Sequence, residues 1–327
     1  MNREFTESIP AAAELERAGG VLLGQAIGDA LGVPYEFAPL VPIGEARMIG
    51  GGLGPYKPGE WSDDTQMAVC IARVSAAGSD LATDEALDRV AEGFLAWERD
   101  GASDIGNLTA TVLRSFPAGA ARPAALLANA AARAGASGSA GNGALMRTAI
   151  VGLTALRNPQ RTAAVAARVA ALTHADPRCI ESAVLWSEAV RVAVVEARLD
   201  VRGGLRLLAD SSRAYWQEQL DAAESQPPQA FNDNGYTVTA LQAAWSAIWA
   251  TRDCAAAEHV EAALQTAIGV GNDTDTVAAI AGGLLGGCYG VSSLRRQWVE
   301  QVHGWPGMRA ADLVGLAQAT ACAGNQR

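Results

Sequence analysis

The spacing of apolar residues limits the possible folds of this chain more than any other feature. Apolar side chains recur at helical intervals over 83–98, 160–172 and 180–197, in stretches rich in alanine, leucine, glutamate and arginine. The alternation of apolar and polar residues that is typical of half-buried strands is scarce. The sequence therefore predicts an all-α protein.

The glycine- and proline-rich segments at 49–59, 135–143 and 226–235 have compositions that suit loops rather than tethers between domains. Length alone would allow about two domains, because single cores usually stop growing near ~250 to 300 residues. The sequence contains no low-complexity linker and no repeat of fixed period. We therefore predict one orthogonal helical bundle over 1–327, with its core at about 17–323.

Composition and charge limit the classes of function. Half of the 327 residues are hydrophobic and the net charge is -10, which predicts a folded protein and argues against nucleic acid as a partner. The five cysteines are scattered without CxxC spacing, so neither a zinc site nor a disulfide framework is expected. The longest apolar stretch, 277–288, is shorter than the ~20 residues that span a bilayer. We expect a cytoplasmic monomer without membrane contact.

The segment 24–37 reads as a helix of small residues that stops before Pro34 and leaves Glu36 in the following loop. Its glycines alone are typical of close helix packing, and a loop glutamate is commonly a solvated surface charge. A functional role for Glu36 and a purely structural one both remain open at this point.

Two clusters of acids and hydroxyls stand about two hundred residues apart, each before an apolar helix. Residues 62–65 (Ser-Asp-Asp-Thr) precede the run 68–74, and residues 273–276 (Asp-Thr-Asp-Thr) precede the run 277–288. Helix capping needs only one short polar side chain, and crowded carboxylates repel one another unless a cation neutralises them. Hard oxygen donors favour Mg²⁺, Mn²⁺ or Ca²⁺, and four carboxylates balance two divalent cations. The pattern predicts a two-metal centre.

Three further features have both a structural and a functional interpretation. The glycine-rich turn 139–147 enters a predicted helix, so it is either a plain tight connection or a cradle whose N–H groups hold a diphosphate. His174 stands at a predicted helix end, where a cationic imidazole would favour the helix dipole. Tyr236 opens a helix and is either a core residue or a platform for stacking a base.

Taken together, five segments in order closely resemble the ADP-ribosylglycohydrolase family, which includes the dinitrogenase-reductase-activating glycohydrolases. The segments are 24–32 (Gly-x-x-x-Gly-Asp-Ala-Leu-Gly) with Glu36, 62–65, 104–106 (Asp-Ile-Gly), 141–147 (Gly-Asn-Gly-x-x-Met-Arg) and 271–276 (Gly-Asn-Asp-Thr-Asp-Thr). The resemblance spans most of the chain.

The resemblance implies an all-α fold with two Mg²⁺ or Mn²⁺ ions at the bottom of an ADP-ribose cleft. The metal ligands that it implies are Ser62, Asp63, Asp64, Asp273, Asp275 and Thr276. It implies that Glu36 and Asp104 are the catalytic acids, one of them serving as the acid–base group. The implied contacts to the substrate are Gly141, Asn142 and Gly143 at the phosphates, His174 at the distal ribose and Tyr236 at the adenine.

The same resemblance implies hydrolysis of ADP-ribose from an ADP-ribosylated protein, through an oxocarbenium-like transition state. The Asp-Ile-Gly segment favours the N-glycosidic bond to arginine. Alternatives are another linkage (serine, O-acetyl-ADP-ribose or nucleic acid), a non-catalytic ADP-ribose-binding protein, and a phosphohydrolase that cuts the diphosphate.

Overall fold

The computed structural model describes residues 10–100, 102–136 and 138–327, so residues 1–9 of the predicted domain and residue 137 of the predicted turn 135–143 lie outside the described residues. The α-helices of these ranges are α1 (Ala12–Gly32), α2 (Asp63–Ala76), α3 (Asp84–Arg99), α4 (Asn107–Arg114), α5 (Pro123–Gly135), α6 (Pro159–Ala171), α7 (Pro177–Glu196), α8 (Asp210–Ser225), α9 (Thr237–Ala250), α10 (Ala256–Ile268), α11 (Thr274–Tyr289), α12 (Arg296–Gln301) and α13 (Ala310–Gly324). Short 3-10 helices occur at Val33–Tyr35, Asn142–Arg147, Ala149–Leu153, Arg202–Leu207, Pro228–Phe231 and Val291–Ser293. The predicted all-α class is confirmed.

The described strands are two residues each and form one small hairpin. β1 (His303–Gly304) pairs with β2 (Met308–Arg309) in antiparallel register, with His303 opposite Arg309. This hairpin lies between α12 and α13 and does not contribute to the candidate site.

Three helices that the apolar spacing predicted start where a polar side chain caps them. The hydroxyl of Thr83 accepts from the Ala86 amide before α3, and the Asn158 side chain accepts from the Arg161 amide before α6. Asp176 caps α7 in the same way. Such caps satisfy amide donors that no helical carbonyl reaches, so they fix where each helix begins.

Helices α1 and α11 cross with their backbones in direct contact, and this crossing brings the site together. Gly20, Gly24 and Gly28 of α1 recur at four-residue intervals on one face and meet the α11 backbone around Ala278, Gly282 and Gly286. A Cβ atom at Gly24 would lie 3.1 Å from the carbonyl carbon of Gly282 and closer still to its oxygen. Only glycine permits this approach, which sets the start of α11 beside the end of α1.

The core surrounds this helix pair. Helices α7, α10 and α13 pack against α1 or α11, and α2 packs against α3 and α13. Large side chains such as Trp97 and Trp186 are fully buried, and each indole N–H has an acceptor, Gln66 Oε1 at 2.6 Å and the Ile280 carbonyl at 3.1 Å respectively. Within the described ranges, no helix combines the length and apolar composition needed to cross a bilayer.

Candidate metal centre and substrate cleft

An open cleft of about 300 Å³ lies where the start of α2, the start of α11 and the loops after α1, α3 and α5 converge. The predicted site residues that line it are Glu36, Asp63, Asp104, Gly141, Asn142, Gly143, His174, Asp273 and Thr276. Ser62, Asp64 and Asp275 are buried beside it, with at most 2% exposure. The fold thus gathers nearly all of the sequence-predicted residues in one place.

Ser62 occupies the N-cap position of α2, but its side chain makes no capping hydrogen bond. Its hydroxyl instead donates to Asp29 Oδ1 at 2.7 Å and lies 3.1 Å from Asp64 Oδ2 and 3.3 Å from Asp275 Oδ2. A hydroxyl has one hydrogen, and the shortest of these contacts uses it, so its lone pairs face two carboxylates. Three oxygen acceptors this close together are favourable only around a cation or a shared proton.

The carboxylates form two groups with a common member, each with oxygens within 4.8 Å of one another. One group is Asp29, Asp64 and Asp275, and the other is Glu36, Asp273 and Asp275. Asp275, in the first turn of α11, therefore stands between them. Two neighbouring acidic groups that share one carboxylate are compatible with a two-metal centre.

Asp29 is not available as a ligand, although it belongs to the first group. Its Oδ1 accepts from the Ser62 amide and hydroxyl at 2.7 Å each, and its Oδ2 accepts from the Thr65 amide at 3.0 Å and the Thr65 hydroxyl at 2.6 Å. These four bonds use all of its lone pairs. Asp29 therefore ties the start of α2 to α1 and orients Ser62.

Asp273 is held from the opposite wall by two asparagines. Asn142 Nδ2 donates to Asp273 Oδ2 at 2.7 Å and to the Asn234 carbonyl at 2.8 Å, while the Asp273 amide donates to Asn234 Oδ1 at 3.0 Å. Both asparagines are buried. Asn142 is thus placed to orient an acid of the centre rather than only to meet a phosphate.

Glu36 and Asp104 form a pair of acids at the cleft wall. Both side chains line the cleft, and the charge of Asp104 acts on the Glu36 carboxyl. Burial, followed by the charges of Asp273, Asp104 and Asp63, raises the pKa of Glu36 to about 9. Asp63 lines the cleft but belongs to neither carboxylate group among the described residues.

The donor set fits hard divalent cations. Burial, reinforced by neighbouring carboxylates, holds the pKa values of Asp63, Asp64 and Asp275 well above their ordinary range. Asp64 Oδ1 is buried and has no hydrogen-bond partner among the described residues. A buried acceptor without a donor is costly, and a cation would both satisfy it and offset the crowding of charge.

The turn at 141–147 differs from the sequence prediction. Asn142–Arg147 is a 3-10 helix rather than an α-helix, and the Asn142 amide donates to the Gly235 carbonyl at 3.1 Å. Gly141 forms an antiparallel bridge with Tyr236. This pairing with a distant segment fixes the turn, and it removes the Asn142 amide from the donors that could hold a diphosphate.

His174 follows the end of α6, as predicted, with its amide donating to the Ala170 carbonyl, but the predicted cationic state was wrong, and so was the interpretation of Tyr236 as a core residue. His174 is buried, and burial together with the Arg147 charge lowers its pKa to about 3, so its ring is neutral instead of a cation at a helix end. Tyr236 precedes α9 and is 37% exposed, so it is not a core residue. It lies at the rim, where Gly141 pairs with its backbone.

The sequence analysis assigned no role to Asp29, although the motif 24–32 contains it, or to Asn234. A signal for Asp29 existed, since an acid within a helix of small apolar residues is normally buried only with partners. No comparable signal existed for Asn234, because its partners, the Gly271 carbonyl and the Asp273 amide, lie far along the chain.

Comparison with known proteins identifies relatives that match most of this chain. The chain is 28% identical over 310 residues to the ADP-ribosylarginine hydrolase Tri1 of Serratia proteamaculans (strain 568), covering 90% of this chain and 77% of that protein. It is 26% identical to the ADP-ribosyl-(dinitrogen reductase) glycohydrolase of Rhodospirillum rubrum, covering 88% of this chain and 90% of the relative.

A solved structure described as an ADP-ribosylglycohydrolase-related protein complex superposes with a TM-score of 0.75 at 26% identity, covering 95% of this chain and 99% of that one. The ADP-ribosylglycohydrolase family model matches residues 10–326. The chain therefore belongs to the ADP-ribosylglycohydrolase family.

Proposed function

We propose that this protein is a metal-dependent ADP-ribosylarginine hydrolase, which removes ADP-ribose from modified proteins by cleaving the N-glycosidic bond to arginine. The observation that carries the proposal is that two carboxylate groups sharing Asp275, one of which includes Glu36, meet Asp104 at one open cleft. Relatives whose names include ADP-ribosylarginine hydrolase support the choice of linkage.

Two Mg²⁺ or Mn²⁺ ions, when held by Ser62, Asp63, Asp64, Asp273, Asp275 and Thr276, would orient ribose hydroxyls and lower the pKa of a bound water. The protein's own groups prepare that arrangement. Asp29 orients Ser62, and Asn142 orients Asp273, so the acids keep their geometry before substrate arrives.

The Glu36–Asp104 pair handles the proton. A water oxygen forms a bond to ribose C1 while the bond from C1 to the guanidinium nitrogen breaks, and charge develops on the ribose ring as in other glycosyl cleavage. One carboxylate takes the proton that the water loses, and the departing guanidine nitrogen takes a proton in return. After both transfers the two carboxyl groups again hold the number of protons with which they started.

The remaining cleft residues suit the rest of the substrate. Gly141 and Gly143 leave the turn without side chains, His174 offers a ring nitrogen and Tyr236 an exposed ring. We assign the turn to the phosphates, His174 to the distal ribose side and Tyr236 to the adenine. The physiological partner would be an ADP-ribosylated protein, and the protein would act as a monomer in the cytoplasm.

The test uses three substrates in parallel: an arginine-ADP-ribosylated protein, a serine-ADP-ribosylated peptide and O-acetyl-ADP-ribose. Each is incubated with purified protein and Mn²⁺ or Mg²⁺, with and without chelator, and products are followed by mass spectrometry. We expect metal-dependent release of intact ADP-ribose with restored arginine. Preferential turnover of either other substrate would overturn the arginine assignment, and release of AMP would indicate cleavage at the diphosphate.

Variants of the acidic residues test the roles proposed for them in turnover. Asp275→Asn should abolish turnover, and Glu36→Gln or Asp104→Asn should lower its rate by about 10²- to 10⁴-fold. Asp253→Asn changes an exposed acid outside the cleft and serves as the matched control. A Glu36→Gln/Asp104→Asn double variant with normal turnover would contradict the proton transfer assigned to the pair.

A further inference from the structure

Arg147, the last residue of the segment 141–147, is fully buried without a carboxylate partner among the described residues. Its Nη2 donates to Thr173 Oγ1 at 2.6 Å, and its guanidinium carbon lies 4.6 Å from the centre of the Phe94 ring. Burying an arginine is costly unless its N–H groups are used, and its Nε has no acceptor in the described part of the chain. A neutral side chain would fill this space at lower cost.

The hydroxyl of Thr173 lies between Arg147 and His174. Arginine can only donate, so Thr173 Oγ1 accepts from it and retains its own hydrogen for another acceptor. His174 Nδ1 lies 2.8 Å from this oxygen. The described residues offer no other acceptor for that hydrogen. The hydroxyl therefore donates to Nδ1.

The remaining ring nitrogen of His174 must then carry the hydrogen. The low pKa of this buried imidazole makes it neutral, and a neutral imidazole has one N–H. That nitrogen, Nε2, faces the glycine turn: a Cβ atom at Gly143 would lie 3.2 Å from it, and one at Gly141 would lie 3.7 Å from it. Among the described residues Nε2 has no hydrogen-bond partner, and the ring lines the cleft.

We propose that Arg147 and Thr173 are positioning residues that fix His174 as its Nε2–H tautomer, a neutral donor aimed at an acceptor oxygen of bound ADP-ribose. The identity of the ligand rests on the proposed function, whereas the tautomer rests on the contacts alone. The choice of tautomer matters because a hydrogen on Nδ1 would leave Nε2, which faces the cleft, as an acceptor instead of a donor. A phosphate oxygen and a ribose ether oxygen are acceptors too and would then be repelled.

The tautomer is measured directly by two-bond ¹H–¹⁵N correlation spectra of protein labelled with ¹⁵N-histidine. The chain has three histidines, so the spectrum is simple, and a His174→Asn variant assigns the signal. We expect a neutral ring with a protonated Nε2 and an unprotonated Nδ1 at neutral pH. An imidazolium pattern or a protonated Nδ1 in the wild-type protein would overturn the assignment of the Nε2–H tautomer. The measurement is made on the wild-type protein, so it does not depend on whether a Thr173 variant folds.

Two substitutions at Thr173 then connect the tautomer to the ligand, with affinity for ADP-ribose measured by calorimetry. Thr173→Val keeps the shape but removes the hydroxyl, so the His174 signal should become a mixture of tautomers and the Kd for ADP-ribose should rise by about three- to tenfold. Thr173→Ser should restore both readouts. An unchanged spectrum and Kd in Thr173→Val would overturn the proposal. Failure of the wild-type protein to bind ADP-ribose would overturn the proposed function and the ligand assignment, while the spectrum would still decide the tautomer.

Discussion

The direct backbone contact between α1 and α11 makes Gly28→Ala a sharp test of how the site is assembled. A Cβ atom at Gly28 would lie 2.5 Å from the carbonyl carbon of Ala278 and closer still to its oxygen. Carbon atoms pack at about 3.5 to 4.0 Å, so the helices must separate by about 1 Å. The obstacle is helix backbone and cannot rotate away.

The energetic effect follows from two opposing contributions. Overpacking of this size costs about 3 kcal/mol, and the better helix propensity of alanine offsets about 1 kcal/mol of it. We expect Gly28→Ala to lower the free energy of unfolding by about 2 kcal/mol. The separation also moves Asp275 away from Ser62, and a displacement of about 1 Å in a catalytic constellation can cost about 10²-fold in rate.

Gly315→Ala is the matched control. Gly315 lies within α13, is exposed, and a Cβ atom there would meet no atom within 4 Å. This substitution should stabilise the protein by about 0.5 to 1 kcal/mol and leave turnover intact. The assay is urea denaturation of metal-free protein combined with turnover at saturating Mn²⁺. Equal unfolding midpoints for the two variants would refute the packing argument.

Three other predictions follow from the site. Asp29→Asn should cost about 2 to 4 kcal/mol in urea denaturation, because an amide cannot accept all four hydrogen bonds; no loss would show that Asp29 does not hold α2 in place. Mn²⁺ at about a hundredfold over its Kd should stabilise the wild-type protein by about 2.7 kcal/mol, but Asp275→Asn should show little gain in a thermal shift titration. The pKa of His174, lowered by burial and by Arg147 to about 3 in the folded protein, makes its contribution to stability complete only above pH 6.5 and lost as the pH falls toward 3. Between pH 7 and pH 5 the wild-type protein should therefore lose about 2 kcal/mol more stability than His174→Gln, and equal pH dependence of the two would contradict a neutral buried imidazole.

The helices were predictable from the sequence because their signals are local. Apolar spacing placed α3, α6 and α7 within a few residues, and their capping residues stand directly before them. The acids proposed as metal ligands stand out for a related reason, since each cluster is contiguous in sequence and denser in charge than capping requires.

What the sequence did not predict depends on contacts between distant segments. The 3-10 conformation at Asn142 arises from pairing with Gly235, about ninety residues away. The neutral state of His174 results from burial beneath the same turn and from the charge of Arg147. The role of Asp29 was not predicted because its partners belong to the start of α2, beyond a long loop. In each case the local sequence shows the type of residue, but the neighbour that determines its role lies in a distant segment.

The glycines of α1 show that structural and functional interpretations of one segment need not compete. From the sequence they were typical of helix packing, and they do pack against α11. That packing is also what places Asp275 at the end of α1, beside the Ser62 hydroxyl that Asp29 orients from α1. Because the two acidic clusters are about two hundred residues apart, neither can form the centre without this crossing. A substitution that widens the crossing should therefore reduce metal affinity more than it reduces stability, whereas a cavity elsewhere in the core should reduce stability alone.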